Sequence, residues 1–306
     1  MTNIVIRNYQ AVDGSALKEL HQSVTSENGA NFWWVGPESN WANVFCAFEG
    51  QRMIAKGQVE LIYEVPAGSP LEMEHAIYCN LKTVPERETD TVLLDMVFQR
   101  LVERSAEIKS SLSDLYKTML CVGNLQIEKQ NNVFFMSKGF EYTETVFTMC
   151  RDLTKSIPIM DLPLSYQFTL WNMDDADEQK EYLAYDQEIW PDAPLKRERL
   201  VQYRNKPSWT ALTVREGANL IASAMAWKEN DQDTGGIIED VWVRKPWRKK
   251  GLAKLLLSEA LVYLKDQGCD TAELEVSAKN ASALQLYQAV GFQVIDEEVR
   301  YKKDIT

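Results

Sequence analysis

The sequence predicts an α/β protein with mixed sheets, laid out as two domains in tandem, and three observations carry that expectation. The chain has 306 residues, about two domains at the usual 100 to 200 residues each. Three landmarks in the first half recur in the second. Apolar spacing also alternates between the period of two that marks a strand and the 3.6 period that marks a helix.

The repeat fixes the order of elements. Ile4-Val5-Ile6-Arg7-Asn8-Tyr9, followed by a helical stretch through Leu17 and Leu20, is echoed by Phe168-Thr169-Leu170-Trp171-Asn172-Met173 and a helix through Tyr182 and Ile189. Phe45 to Phe48, Glu49-Gly50 and Met53 to Val59 read as a hairpin turned at glycine, echoed by Ala211 to Val214, Glu216-Gly217 and Leu220 to Trp227. Phe134-Phe135-Met136-Ser137-Lys138-Gly139-Phe140 is echoed by Leu286-Tyr287-Gln288-Ala289-Val290-Gly291-Phe292. The expected domains are residues 1–153 and 154–306, with Pro158 and Pro163 marking a linker around 151–164.

In the second half, Ile237 to Val243 reads as a strand and Lys249 to Lys265 as a helix. Ala253, Leu256, Leu257, Ala260, Leu261 and Leu264 fall on one helical face, and Gly268 stands just beyond its end. A strand over Ala272 to Val276, a helix from Asn280 to Val290 and a terminal antiparallel pair up to Lys303 complete the domain.

Composition narrows the function. Basic residues number 33 and acidic residues 45, a net charge of −12, which disfavours a general nucleic-acid binder because phosphate neutralisation needs a basic surface. No apolar run approaches the 18 residues of a membrane span. Met1-Thr2-Asn3, leading into Ile4-Val5-Ile6-Arg7, lacks the pattern of a secretory signal, so a cytoplasmic location is expected. The five cysteines are scattered and never spaced C-x-x-C, which suggests neither a disulfide framework nor a metal site. The only histidines are His21 and His75, so chemistry in the second half must use other groups.

Six basic residues crowd positions 244 to 254: Arg244, Lys245, Arg248, Lys249, Lys250 and Lys254. They fall between a strand and a helix N-terminus, where cations oppose the helix dipole unless an anion joins them. Gly251 in their midst lets backbone amides approach such a ligand. The site expected is a pyrophosphate cradle.

At these residues the chain resembles the GNAT superfamily of acyl-CoA-dependent N-acetyltransferases. Arg248-Lys249-Lys250-Gly251-Leu252-Ala253 resembles the superfamily's Q/R-x-x-G-x-G/A loop, with Ala253 in the small position. Asn280, Ala283, Leu286, Tyr287, Gly291 and Phe292 resemble its second signature. The resemblance covers residues 165 to 303. With the first half as a degenerate copy, the layout is similar to tandem-domain acetyltransferases of the mycothiol-synthase kind.

The resemblance implies tandem acyl-CoA N-acyltransferase folds, acetyl-CoA as co-substrate and no metal. It implies that the backbone of Val241, Trp242 and Val243 receives the pantetheine arm like an added strand. It also implies that Asn280 contacts the cofactor and that Tyr287 protonates the departing thiolate. Asn280 equally suits a helix N-cap, and Tyr287 shares an apolar stripe with Ala283, Leu286 and Val290. For the base that takes the amine's proton, Glu239 and Glu275 are the candidates, with Asp240 beside the first. Strict alternation puts Glu239 on the face of Val241 and Val243, and Asp240 opposite.

The first half departs from the pattern. Pro85-Glu86-Arg87-Glu88-Thr89-Asp90-Thr91 places acids where phosphates would sit, and Phe135 replaces the tyrosine. This half is expected to keep the fold, lose the cofactor and build the acceptor side of the cleft. An isolated segment 160–306 is then expected to bind acetyl-CoA when soluble. Asp174, Asp175, Asp177 and Glu178 suit a helix start better than an amine site. Phe32-Trp33-Trp34, Trp41 and Trp190-Pro191-Asp192 could line an acceptor pocket.

The reading is direct transfer of an acetyl group to a primary amine of a small molecule. The alternatives are a peptide or protein N-terminus as acceptor, or a non-catalytic acyl-CoA sensor. Monomer and homodimer stay open.

Overall fold

The computed structural model describes residues 4–25, 29–191 and 194–305. Its contacts divide the chain into two compact units, Met1–Val146 with Glu297–Thr306, and Phe147–Asp296.

The first unit contains β1 (Ile4–Asn8), α1 (Gly14–Thr25), β2 (Val44–Glu49), β3 (Arg52–Tyr63), β4 (Glu74–Thr83), α2 (Thr91–Lys109), β5 (Lys117–Leu125), α3 (Lys129–Ser137) and the start of β6 (Glu141–Asp152). β1 to β4 form an antiparallel meander, and β4 runs parallel to β5. The helical stripe read from the sequence is the buried face of α2, where Leu94, Val97, Phe98 and Leu101 pack onto the sheet.

The second unit contains the rest of β6, β7 (Gln167–Trp171), α4 (Ala176–Ile189), α5 (Arg197–Arg204), β8 (Thr210–Glu216), β9 (Asn219–Lys228), β10 (Gly235–Val243), α6 (Leu252–Asp266), β11 (Thr271–Ser277) and α7 (Ala281–Val290). β7 to β10 repeat the antiparallel meander, and β10 runs parallel to β11. One core lies between the sheet and α6 and α7, and another between the sheet and α4 and α5. Gly236 belongs to the first of these. A Cβ there would meet the Leu264 side chain at 2.6 Å, so only glycine lets α6 pack this close.

The chain ends on β12 (Gln293–Asp304), one long strand where an antiparallel pair was expected. Glu298 to Asp304 pair antiparallel with Leu125 to Met119 of β5, and the Arg300 carbonyl accepts from Thr143 Oγ1 at 2.9 Å. The last ten residues therefore belong to the first unit, although a division at residue 153 would assign them to the second. Conversely, Met149 and Leu153 are buried in the second unit's core, and the Leu153 amide donates to Asp270 at 2.8 Å.

These strands decide the fate of the fragment 160–306. It leaves out Met149 and Leu153, each an apolar side chain whose loss from a core costs about 2–5 kcal/mol, and it strips a partner from β11. It is expected to lack a cooperative thermal transition. A sharp melt with native near-ultraviolet circular dichroism would contradict this.

Candidate functional site

The cleft begins where two parallel strands part. β10 and β11 are paired only from Gly235↔Thr271 to Ile237↔Glu273. Beyond that point β10 carries a bulge between Glu239 and Trp242, where Asp240 takes φ 50°. A left-handed residue other than glycine costs about 1 kcal/mol or more, and here it bends the strand away from its neighbour. The opening is a cavity of about 760 Å³, walled by β10, the loop before α6, β11 and α7.

All the residues singled out in the sequence line this cavity except Lys250: Glu239, Val241, Trp242, Val243, Arg248, Lys249, Gly251, Leu252, Ala253, Glu275, Asn280, Ala283 and Tyr287. Lys250 is an exposed neighbour of Lys249 and Gly251. The helix expected to start at Lys249 starts at Leu252 instead, because Lys249 and Gly251 have φ 62° and 83°. That turn leaves the first amides of α6 without a side-chain cap, a ready seat for an anion. Arg248 is fixed beside it, its Nε donating to the Val243 carbonyl at 2.9 Å.

Both readings of Asn280 hold together. Its Oδ1 accepts from the Ala283 amide at 3.1 Å, capping α7, while the residue also lines the cleft. Tyr287 likewise packs in the core against Phe292, ring centroids 6.1 Å apart, and faces the cavity. Burial pushes its hydroxyl pKa up, so the phenol keeps its proton across the neutral range.

The bulge overturns the alternation expected for the two acids. Val241 and Val243 pack toward α6 and α7. Glu239 instead accepts a hydrogen bond from Tyr203 of α5. Asp240 accepts from Tyr182 of α4 and from Trp190 Nε1, the latter at 3.0 Å. Both carboxylates therefore meet the α4 and α5 side of the sheet. Burial raises the pKa of each, and their hydrogen bonds oppose that rise. Asp186 of α4 joins them. It accepts from the Leu195 amide at 2.5 Å, and burial lifts its pKa to about 6. Sequence patterning missed Asp186 and Tyr182 because both look like ordinary helix residues. Glu275 is an exposed residue of β11 that lines the same cavity.

In the first unit the corresponding place is closed by its own side chains. β4 and β5 stay paired from Glu74↔Lys117 to Cys79↔Val122, and β4 has no bulge beside Lys82. Buried Lys82 then reaches Asn124 of β5 at 3.0 Å and the Glu128 carboxylate. The α2 N-terminus holds a carboxylate already, since Asp90 accepts from the Leu93 amide at 3.0 Å and from Arg87. Phe135 is sealed among Phe98, Phe134 and Phe140.

The remaining substrate hints resolve into packing. Asp175 caps α4 through the Asp177 and Glu178 amides. Phe32 and Trp34 pack against His21, and Trp41 against Tyr9. Trp190 lines the cleft, whereas Asp192 lies outside the described residues. Among the described residues no group of histidine, cysteine and acidic side chains is arranged to hold a metal, and no helix is long and apolar enough to cross a membrane.

Comparison with known proteins agrees with this geometry. Residues 170–292 match the acetyltransferase (GNAT) family. A mycothiol acetyltransferase of Beutenbergia cavernae is 28% identical over 105 residues, covering 29% of this chain and 35% of that protein. The chain thus spans about a third to two fifths of the first curated relatives it matches. Among solved structures, a GCN5-related N-acetyltransferase of Sphaerobacter thermophilus superposes with TM-score 0.75 at 16% identity, covering 99% of this chain and 96% of that one. A tandem GNAT protein from the clavulanic acid biosynthesis pathway superposes with TM-score 0.69 at 12% identity, covering 99% of each. With the family's sequence pattern in its second half and a tandem member's fold along its length, the chain belongs to the tandem GNAT proteins.

Proposed function

We propose that the protein transfers an acetyl group from acetyl-CoA to a primary amine of a small molecule, with the chemistry in the second unit. The observation that carries this reading is the splayed β10–β11 opening, which leads from the uncapped α6 N-terminus to Tyr287. The cradle of Arg248 to Ala253 suits the pyrophosphate, through backbone amides and the cations around them. The β10 edge at Val241 to Val243, unpaired with β11, suits the amide groups of pantetheine.

In this reading Glu239 takes one proton from the acceptor ammonium, and the amine nitrogen then bonds to the thioester carbonyl carbon. As the carbon–sulfur bond breaks, Tyr287 gives its proton to the thiolate. The nitrogen's second surplus proton replaces it through solvent, so one proton is released overall, the one held by Glu239. The two acids at the bulge favour a cationic acceptor. The five thiols are free of disulfides, in keeping with the cytoplasmic location proposed.

The first unit, with Lys82 and Asp90 filling the equivalent positions, is proposed to bind no cofactor. Calorimetry is expected to give one acetyl-CoA per chain. Acetyl-CoA with a panel of amines is expected to release free thiol in step with amine loss. Two equivalent sites, or binding without turnover of any amine, would overturn the reading, the second in favour of a sensor.

A further inference from the structure

Glu239 lines two cavities. One is the cleft that runs to Tyr287. The other is an open groove of about 640 Å³ on the α5 side of the sheet, lined by Arg199, Gln202, Tyr203, Trp227, Glu229 and others. The carboxylate thus stands in the wall between the cleft and a water-accessible groove.

On the groove side it is held by a chain of two groups. The Tyr203 hydroxyl donates to Glu239 and accepts from Arg199. The Tyr203 ring is clamped on both faces, with Trp227 stacked at 4.7 Å and the Arg199 guanidinium 4.7 Å from its centroid. A clamped phenol keeps its hydroxyl aimed at one place. The other charges facing Glu239 are Glu229 of β9 and Asp240 on its own strand. Glu229 is itself paired with Lys206 at 2.5 Å and accepts from Trp227 Nε1 at 3.2 Å. Among the described residues, Arg199 is the cation that acts on Glu239.

We propose that Tyr203 and Arg199 are positioning residues that keep Glu239 ionised and aimed at the acceptor amine. This rests on the acetyltransferase reading above. The physical reason is that a carboxylate in the sheet wall loses hydration, and a phenol donor backed by a guanidinium restores part of it without closing the side that faces the cleft. Burial raises the Glu239 pKa, whereas Tyr203 and Arg199 lower it. Removing either therefore moves it upward, and a larger share of Glu239 is protonated and unable to accept at a given pH.

The test uses the full chain labelled with ¹³C at the glutamate carboxyl carbon, with the Glu239 resonance identified by its loss in Glu239→Gln. Its titration midpoint is expected above the free value of about 4.3. Tyr203→Phe, which keeps the packed ring, and Arg199→Met are each expected to raise it by roughly half a unit or more. The double variant should shift less than the sum, because Arg199 acts partly through Tyr203. With acetyl-CoA and spermidine, glucosamine or L-lysine as acceptor, the acidic limb of kcat/KM should move with the midpoint. An unchanged midpoint in both single variants overturns the proposal, whatever the turnover. The expected shifts without acetylation of any amine leave the coupling in place and overturn the acetyltransferase reading.

Discussion

Replacing Gly251 with glutamate is expected to lower acetyl-CoA affinity by on the order of 100-fold or more. Gly251 holds φ 83° at the mouth of the α6 N-terminus, and a Cβ there meets nothing within 4 Å. A side chain would thus project into open space rather than into the core. The loss has two sources. The left-handed backbone resists any side chain by about 1 kcal/mol, and a carboxylate placed on the amides repels the pyrophosphate while neutralising the dipole that attracts it. Gly251→Ala separates them, since it carries the strain without the charge, and should lose far less. Calorimetry with a thermal melt as folding control gives the answer. Equal affinity of the glutamate variant and the parent would remove the loop from the cofactor site.

Tyr287→Phe is expected to leave acetyl-CoA affinity unchanged and to lower kcat by roughly 10- to 10³-fold. The substitution removes one hydroxyl from a residue that is buried in the α6–α7 core, so volume and packing are conserved. What it takes away is the proton for the thiolate. Burial keeps the tyrosine pKa above its ordinary value. The wild-type enzyme should therefore show no loss of this acid below about pH 10. Single-turnover measurements isolate the chemical step. Equal rates for the two proteins there would reduce Tyr287 to a core residue.

Much of this site could be read in advance because its parts are local. The cluster from Arg244 to Lys254 and the glycine within it are contiguous, and a helix N-terminus with a positive-φ turn is dictated by a few neighbouring residues. The same holds for the stripe of α6 and for Asn280 as the cap of α7, since i, i+3 and i+4 neighbours set them. The duplication was legible for a related reason: two copies of one pattern constrain each other's interpretation.

What the tertiary structure alone decided depends on contacts between distant positions. Alternation assumes an unbroken strand, and the bulge at Asp240 breaks it. That bulge turns Glu239 toward Tyr203, 36 positions earlier, and Asp240 toward Tyr182, 58 positions earlier. No local rule anticipates Lys82 filling the first unit's opening, because its partners Asn124 and Glu128 lie 42 and 46 residues away. The last strand joins the first unit for a similar reason. Residues 298 to 304 suit any sheet edge, and only the hydrogen-bonding register with β5 selects one. Sequence determines which segments become strands and helices, through short-range sterics and periodicity. Which strand borders which, and which carboxylate faces the cleft, is settled by the long-range pairing that satisfies every buried backbone group.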